Sequence, residues 1–383
     1  MRQIRSNHLS NWRIAVIHDW LTTIGGAERV LERIIGLFPE ADIFSVVDFL
    51  SAEDRGWLDR RPVRTSFIQG LPLASSHYRS YLPLMPFAVS RWDLSEYDLV
   101  ISSSHSVAKG VRTTANQKHI CYIHTPMRYA WDLRDHYLDL VGYRGGKSFI
   151  ARRILDRIQR WDYATAKEVD SFIANSMFVA DRVKRFYDRD ATVVYPPIDI
   201  DRFQLSRKTE PFFLTVSRLV PYKRIDLIAE TFKNFPQNQL VIVGDGPEMN
   251  RVRAIAGANV TILGHQTDQV VTDLMMRCRA FIFAAIEDFG IAPLEAQACG
   301  KPVIAFAEGG ALETMRGLGD AAPSSVMFEE QTPASLKDGI NKFVENERLL
   351  TPINCRKNAE RFSASTFDAG LLSAVEQTLS LSD

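Results

Sequence analysis

Residues 284–305 read AAIEDFGIAPLEAQACGKPVIA, and they decide how the chain is organised. The stretch opens on the end of an apolar run, Ala280 to Ala285, whose length suits a buried strand. It turns through Glu287-Asp288-Phe289-Gly290 and enters a helical run, Ile291 to Ala298. Gly300 suits a helix stop, and Pro302 leads into a second apolar run, Val303 to Ala307. Strand, tight loop, helix, strand is one α/β unit. Its polar loop falls at the carboxyl end of a strand, where open parallel sheets bind ligands. Backbone N–H groups from Phe289 through Gly290 and Ile291 to Ala292 are unpaired at such a helix start and suit a phosphate. Glu287 lies in the loop, and Glu295 lies about one turn into the helix. Spacing alone leaves two readings of these carboxylates. They are a solvated loop residue and a surface helix charge, or they grip a ligand with hydroxyls at both ends and phosphate between. A nucleotide-sugar has that layout.

Outward from this stretch the same strand–loop–helix grammar recurs. Phe212 to Ser217 reads as a strand, and Arg218-Leu-Val-Pro-Tyr-Lys223 leads from it into a helix. Cations in that loop suit a diphosphate and are equally common as surface charges. Leu240 to Glu248 is a strand ending in a glycine turn, with Gly244 and Gly246, and Val260 to Leu263 is another, followed by Gly264-His265. Helical stretches at Ser335–Asn358 and Thr366–Leu381 close the chain.

The first half begins with a buried-strand run, Arg13 to His18, then Asp19, then Gly25-Gly26 before a helix from Glu28 to Phe38. Glycines there let the backbone approach a ligand closely, although a tight turn alone accounts for them. The pattern is not GxGxxG, so a dinucleotide is not indicated. Strands follow at 41–47, 99–102 and 120–124. The last ends in HTPMRYAWD, which puts His124, Arg128 and several aromatics in one loop, with Pro126 forcing a turn. A lone histidine there is more often structural than catalytic. Residues 71–92 read either as a helical hairpin carrying acceptor contacts or as a covering layer. Residues 147–167 form a basic amphipathic helix, suited to an anionic membrane or to an ordinary core-and-solvent position. Tyr195-Pro-Pro with the polar run 206–210 marks the interdomain boundary.

At 383 residues the chain has room for two domains, and equal counts of Lys+Arg and Asp+Glu, 46 each, give no field steering it to nucleic acid. No apolar run has the length of a transmembrane helix. The start, MRQIRSNHLSNWR, lacks a signal-peptide core, and the four cysteines show no CxxC spacing. A cytoplasmic protein is expected. Asp188-Arg-Asp190 and Asp199-Ile-Asp201 have metal-binding triplet form but fall near the domain boundary, so no metal site is expected.

The string EDFGIAPLEAQACGKPVIA resembles the E-x7-E signature of retaining glycosyltransferases of family 4, the GT-B group. SRLVPYKRIDLIAETF, GDGP, the Tyr195 segment and the first glycine loop recur in the family's order. HTPMRYAWD and SSSHSVAKGV resemble a subgroup acting in bacterial polysaccharide and O-antigen assembly, many of them mannosyltransferases. The resemblance implies an α/β GT-B fold of two Rossmann-like domains facing each other across a cleft. An N-terminal acceptor-side domain spans 1–195, a linker 196–210, a nucleotide-sugar domain 211–365, and a helix 366–383 packs back on the first domain. It implies an enzyme moving a sugar, mannose from GDP-mannose, to a polyprenyl-diphosphate-linked saccharide, without metal or other cofactor. Alternatives are a UDP- or dTDP-sugar donor, a silent nucleotide-sugar-binding protein, or a hydrolase or epimerase on the same fold. The implied catalytic group is Glu287, His124, Arg218 and Lys223. Donor contacts fall to Gly25, Gly26, Gly244, Gly246, His265, Phe289, Gly290, Ile291 and Glu295, and acceptor contacts to Asp19 and Arg128. Arg218, Lys223 and the helix start at Phe289–Ala292 neutralise the departing diphosphate. The acceptor hydroxyl attacks from the same face, and the domains close over the donor. A membrane-facing role for 147–167 goes with the lipid-linked acceptor.

Overall fold

The computed structural model describes residues 12–132, 134 and 146–380, with side chains from residue 148 in the last segment. Residues 1–11, Lys147's side chain and Leu381 lie outside the described residues, and with them most of the stretch read for a signal peptide and the end of the 366–381 helix. The described chain forms two compact units, one of residues up to 195 together with 368–380, the other of residues 196–367.

In the first unit the described strands are β1 (Ile14–His18), β2 (Asp42–Ser45), β3 (Val63–Thr65), β4 (Leu99–Ser104), β5 (Lys118–Ile123), β6 (Ser171–Ala174) and β7 (Ala191–Val193). They pair in parallel in the order β3-β2-β1-β4-β5-β6-β7. Every residue of β1 and β4 is buried, which is why both read as unbroken runs rather than alternating ones. The strand order reverses between β1 and β4, and the register pairs His18 with Ser103 there. That reversal opens a crevice at the strands' carboxyl ends.

The second unit repeats the plan with β8 (Phe212–Val216), β9 (Gln239–Val243), β10 (Val260–Gly264), β11 (Ala280–Phe283), β12 (Val303–Phe306) and β13 (Ser325–Phe328), in the order β10-β9-β8-β11-β12-β13, all parallel. Here the reversal lies between β8 and β11. The core under it holds Phe213, packed edge-on against Phe232 and Phe343.

The helix Ile291–Ala298 has the bounds its sequence pattern sets, and β11 stops two residues short of the apolar run. Ala284 and Ala285 are buried without pairing, because the chain leaves the sheet while still covered. Residues 71–92 form short helical turns that bury Tyr78, Met85, Ala88 and Val89 in the first unit's core. They cover that core.

The segment Gly146–Ala166 is helical. Its Asp162 is fully buried and pairs with buried Lys109 at 2.8 Å. Trp131 Nε1 and the Tyr187 hydroxyl also donate to Asp162, at 2.8 and 2.7 Å. Lys109 Nζ also donates to the Asp162 carbonyl and to Thr165 Oγ1, at 2.7 and 3.0 Å, so these partners offset the pair's desolvation cost, and the cluster ties the 124–131 loop to two helices. Gly110 is required beside it, since a Cβ would overlap the ring of Trp161.

Candidate functional site

In the first unit the ends of β1, β4 and β5 deliver His18, His105 and His124 to one place. Ring centroids of His105 lie 6.1 Å from His18 and 6.2 Å from His124. Beneath them Asp19 is fully buried. Its carboxylate accepts the backbone N–H groups of His105, Ser106, Val107 and Ala108 at 2.6–2.9 Å, and His105 Nδ1 lies 3.1 Å away. Those donors occupy its lone pairs. Asp19 therefore serves the site by holding the 105–108 loop, which corrects its assignment as an acceptor contact.

His124 follows β5 and is nine-tenths buried. Its Nε2 lies 2.8 Å from Ser103 Oγ, and its carbonyl accepts from Asn175 Nδ2 at 2.9 Å. Burial, with the neighbouring His105 and His18, holds its imidazole well below the usual histidine range, so it is neutral at pH 7. The loop beyond is anchored by buried Met127 and Ala130 and by Arg182, which donates to Thr125 Oγ1 and pairs with Asp132 at 2.8 Å. Arg128 sits half-buried on this loop. Gly25 caps the helix Gly26–Leu37, and its N–H donates to Glu28 Oε2 at 2.9 Å. The glycine loop is thus fastened by the first turn of its own helix. His18, His105 and Glu28 were not singled out from sequence. The signal lay in three histidines at or just past strand ends, which becomes visible only when the strand order is known.

In the second unit the reversal point gathers Arg218, Lys223 and Glu287 on the loops after β8 and β11. Lys223 forms an ion pair with Glu287, both side chains about one-fifth exposed. Arg218 is exposed, with no side-chain partner among the described residues. The β8 loop is knitted to the GDGP turn, with Leu219 N–H donating to Asp245 O at 2.9 Å and Glu248 N–H to Leu219 O at 3.0 Å. Gly244 (φ +132°) is forced by this closeness, since a Cβ would overlap Ser217's carbonyl, and one at Gly246 would overlap Leu219's. Both glycines shape the loop that presents Arg218. Gly264 ends β10 and accepts from Gly244 N–H at 2.8 Å, which places exposed His265 beside the same turn.

The loop after β11 is held from behind by Gly309 and Gly310, which sequence reading passed over. Gly310 N–H donates to Glu287 O at 2.8 Å, and a Cβ at Gly310 would lie 2.6 Å from Phe289 Cα. Gln331 bridges Ala284 O and Arg224 at 2.7 and 3.0 Å. Gly290 (φ +90°) caps the helix Ile291–Ala298 and turns the backbone into it, with Glu295 half-buried further along. Phe289's ring is buried edge-on against Phe362 at 5.4 Å. Its side chain packs rather than binds, so any ligand contact falls to its backbone.

Residues 24–202 match the family described as Glycosyltransferase Family 4, and residues 197–362 match Glycosyl transferases group 1. The chain is 32% identical over 179 residues to a GDP-mannose-dependent monoacylated alpha-(1-6)-phosphatidylinositol monomannoside mannosyltransferase of Corynebacterium glutamicum, covering 39% of this chain and 47% of that one. It is 29% identical over 229 residues to a D-inositol 3-phosphate glycosyltransferase of Geodermatophilus obscurus, covering 51% and 50%. The matches thus span about half the length of these curated relatives. HepE of Anabaena, crystallised with UDP and glucose, superposes with a TM-score of 0.68 at 21% identity, over 96% of this chain and 100% of that one. That likeness carries the fold. These relatives do not single out the mannosyltransferase subgroup, because inositol glycosyltransferases stand beside a mannosyltransferase. Two family matches running from residue 24 to residue 362, on two parallel-sheet halves with GT-B structural neighbours, place the chain among the GT-B glycosyltransferases of family 1/4 type.

Proposed function

We propose that the chain is a retaining glycosyltransferase that moves a sugar from a nucleotide-sugar to a saccharide acceptor. The observation that carries this reading is the Lys223–Glu287 pair at the second unit's reversal point, with exposed Arg218 on the same loop as Lys223. A departing nucleoside diphosphate gains negative charge as the glycosidic bond breaks. Fixed cations neutralise it without reorganisation at the moment of reaction. Arg218 and Lys223 take that role, and the helix start at Gly290–Ile291 adds backbone N–H dipoles. Glu287 orients Lys223 and meets the donor sugar, while Glu295 receives the ribose hydroxyls. Gly244 and Gly246, Phe289's backbone and His265 complete the second unit's donor contacts, and in the first unit Gly25, Gly26, His124 and Arg128 are the ligand-contacting groups of this reading. Attack from the departing group's own face retains the anomeric configuration, with no metal in the mechanism.

In its finer form the donor is GDP-mannose and the acceptor a lipid-linked saccharide of polysaccharide or O-antigen assembly. The Corynebacterium relative's GDP-mannose dependence supports the donor. Exposed Phe149 and Ile150 beside Arg152, Arg153, Arg157 and Arg160 support cytoplasmic peripheral contact with an anionic membrane, as does a groove of about 690 Å³ bordered by Phe87, Trp161, Arg112 and Arg157. Among the described residues no helix is long and apolar enough to cross a membrane. A UDP-sugar donor is the second reading, favoured by HepE's complex with UDP and glucose. Incubating the protein with each nucleotide-sugar and a bacterial lipid extract tests both. The first reading expects GDP release and an α-linked mannolipid by NMR. UDP release assigns the second, and a β-linked product overturns retention.

A further inference from the structure

One face of the helix Gly146–Ala166 passes from water into the core along its length. Ile150, Ile154, Ile158 and Trp161 fall on it at helical spacing. Ile150 is 60% exposed, Ile154 is half-buried and Ile158 is buried. Where this stripe leaves water, Ile154, Ile158 and Trp161 border the groove of about 690 Å³. Pro83, Pro86 and Phe87, from the turns over the first unit's core, form another wall. Phe87 is 56% exposed, and its ring meets that of exposed Phe67 at 6.0 Å. An uncovered apolar surface of this kind marks a binding site, and the volume lies within the roughly 300–1,000 Å³ of small-molecule sites.

Two cations complete the groove. Arg112 and Arg157 both line it and are exposed, and among the described residues neither guanidinium makes an ion pair or a hydrogen bond. A guanidinium fork matches the oxygens of a phosphate. Glu168 is the one carboxylate among the described lining residues, and it follows the end of the helix, well past Arg157. It repels an anion from that end. Apolar walls with two unpaired guanidiniums suit an amphiphile, its chain along the walls and its phosphate at the arginines.

The groove also lies off the crevice where His105 and His124 stand. The chain leaves the carboxyl end of β4 at His105, and Val111 to Thr113 belong to its return towards β5, which starts at Lys118 at the sheet's other end. A lipid phosphate held there is apart from a hydroxyl reacting in the crevice, which favours a lipid of the bilayer over the acceptor's own carrier.

We propose that this groove binds one acyl chain of a membrane phospholipid, with Arg112 and Arg157 on its phosphate. The inference rests on the anionic-membrane contact of the same helix, and not on glycosyl transfer. It adds a discrete, saturable site to what would otherwise be adsorption on a charged surface.

The test uses the full chain and lysophosphatidylglycerol brominated at mid-chain, below its critical micelle concentration. Bromine quenches an indole that it touches. Quenching should saturate at one lipid per chain and vanish in Trp161→Phe, which keeps the remaining tryptophans. Arg112→Gln combined with Arg157→Gln alters two exposed, unpaired side chains, so it should keep the fold and weaken binding at least about tenfold. A monoacylglycerol of the same chain, lacking phosphate, should bind that variant and the wild type equally. No saturable quenching, quenching that survives in Trp161→Phe, or equal affinity for the lysolipid in the double variant overturns the site. A short-chain polyprenyl phosphate that binds there more tightly than the lysolipid gives the groove to the acceptor and overturns the phospholipid assignment. Co-sedimentation with vesicles of phosphatidylglycerol and phosphatidylcholine in equal parts reads the membrane contact separately. Vesicle binding without saturable lysolipid binding keeps that contact and overturns the groove. Lysolipid binding without vesicle binding upholds the groove and defeats the membrane reading.

Discussion

Lys223 and Glu287 come from loops that follow neighbouring strands, β8 and β11, and they meet as an ion pair where the second sheet's strand order reverses. Both side chains are about four-fifths buried, so the pair's Coulomb gain is set against the desolvation of both charges and its net contribution to stability is modest. Its value lies in positioning. Lys223→Ala should lower kcat/KM by about 100- to 1000-fold, the scale of losing one preorganised charge-stabilising group. Its urea midpoint should fall only in part, because Glu287 keeps about one-fifth of its side chain in water, and the variant should still be folded under assay conditions. A variant that lost activity by unfolding would show it in that midpoint.

The Lys109–Asp162 pair stands at the opposite extreme, wholly buried and flanked by hydrogen-bonding partners. Asp162→Ala should destabilise the protein by about 3–5 kcal/mol, because it leaves a buried ammonium unpaired and strips Trp131 and Tyr187 of their acceptor. Adding Lys109→Met should recover part of that loss in urea unfolding. No recovery in the double variant would show that the lysine's charge is not the source of the cost.

Two glycines should respond in opposite directions to the same substitution. Gly36 lies in the helix Gly26–Leu37, where an added Cβ meets nothing within 4 Å, so Gly36→Ala should stabilise by about 0.5–1 kcal/mol. Gly244→Ala places a methyl on Ser217's carbonyl at a left-handed φ and should destabilise the protein while weakening nucleotide binding. Thermal unfolding of the two variants reads both effects.

Three histidines give the protein a pH dependence of known sign. Burial holds His105 and His124 below the ordinary histidine value and His119 at about 3. In the unfolded chain each titrates near 6.5. Below that pH the unfolded state binds more protons than the folded one, so stability is fully present above about pH 6.5 and falls on acidification. The slope reaches at most about 1.4 kcal/mol per pH unit for each histidine. Urea unfolding at pH 8, 7, 6 and 5 should show a plateau and then a decline, and equal stability at pH 8 and pH 5 would contradict it.

Burial also pushes the thiols of Cys121, Cys278, Cys299 and Cys355 up to about 12. Native protein should react negligibly with a thiol reagent at pH 8 and release four equivalents once denatured.

The strand–loop–helix unit at Ala280–Ala298 was legible because its apolar runs, glycine and proline are all local signals. The same holds for the parallel sheets, whose buried strands are continuous apolar words. Arg218, Lys223, Glu287 and His124 were legible through spacing and family likeness. Gly309 and Gly310 were not, since their duty is to let the backbone at Glu287 and Phe289 approach, a contact between segments distant in sequence. Asp19 read as an acceptor contact through the likeness of the first glycine loop to the family's. Its four backbone partners lie across a neighbouring strand's loop. The meeting of His18, His105 and His124 likewise depends on β1 lying beside β4 and β4 beside β5, which is topology rather than motif.

The most direct test of the central claim is calorimetric titration of the wild type and Lys223→Ala with GDP, UDP and dTDP, with and without EDTA. The account predicts that at least one diphosphate binds the wild type, that EDTA leaves its affinity unchanged, and that Lys223→Ala weakens it at least tenfold. Binding of none of them, or equal binding by Lys223→Ala, would contradict a nucleotide-sugar site at the β8–β11 reversal.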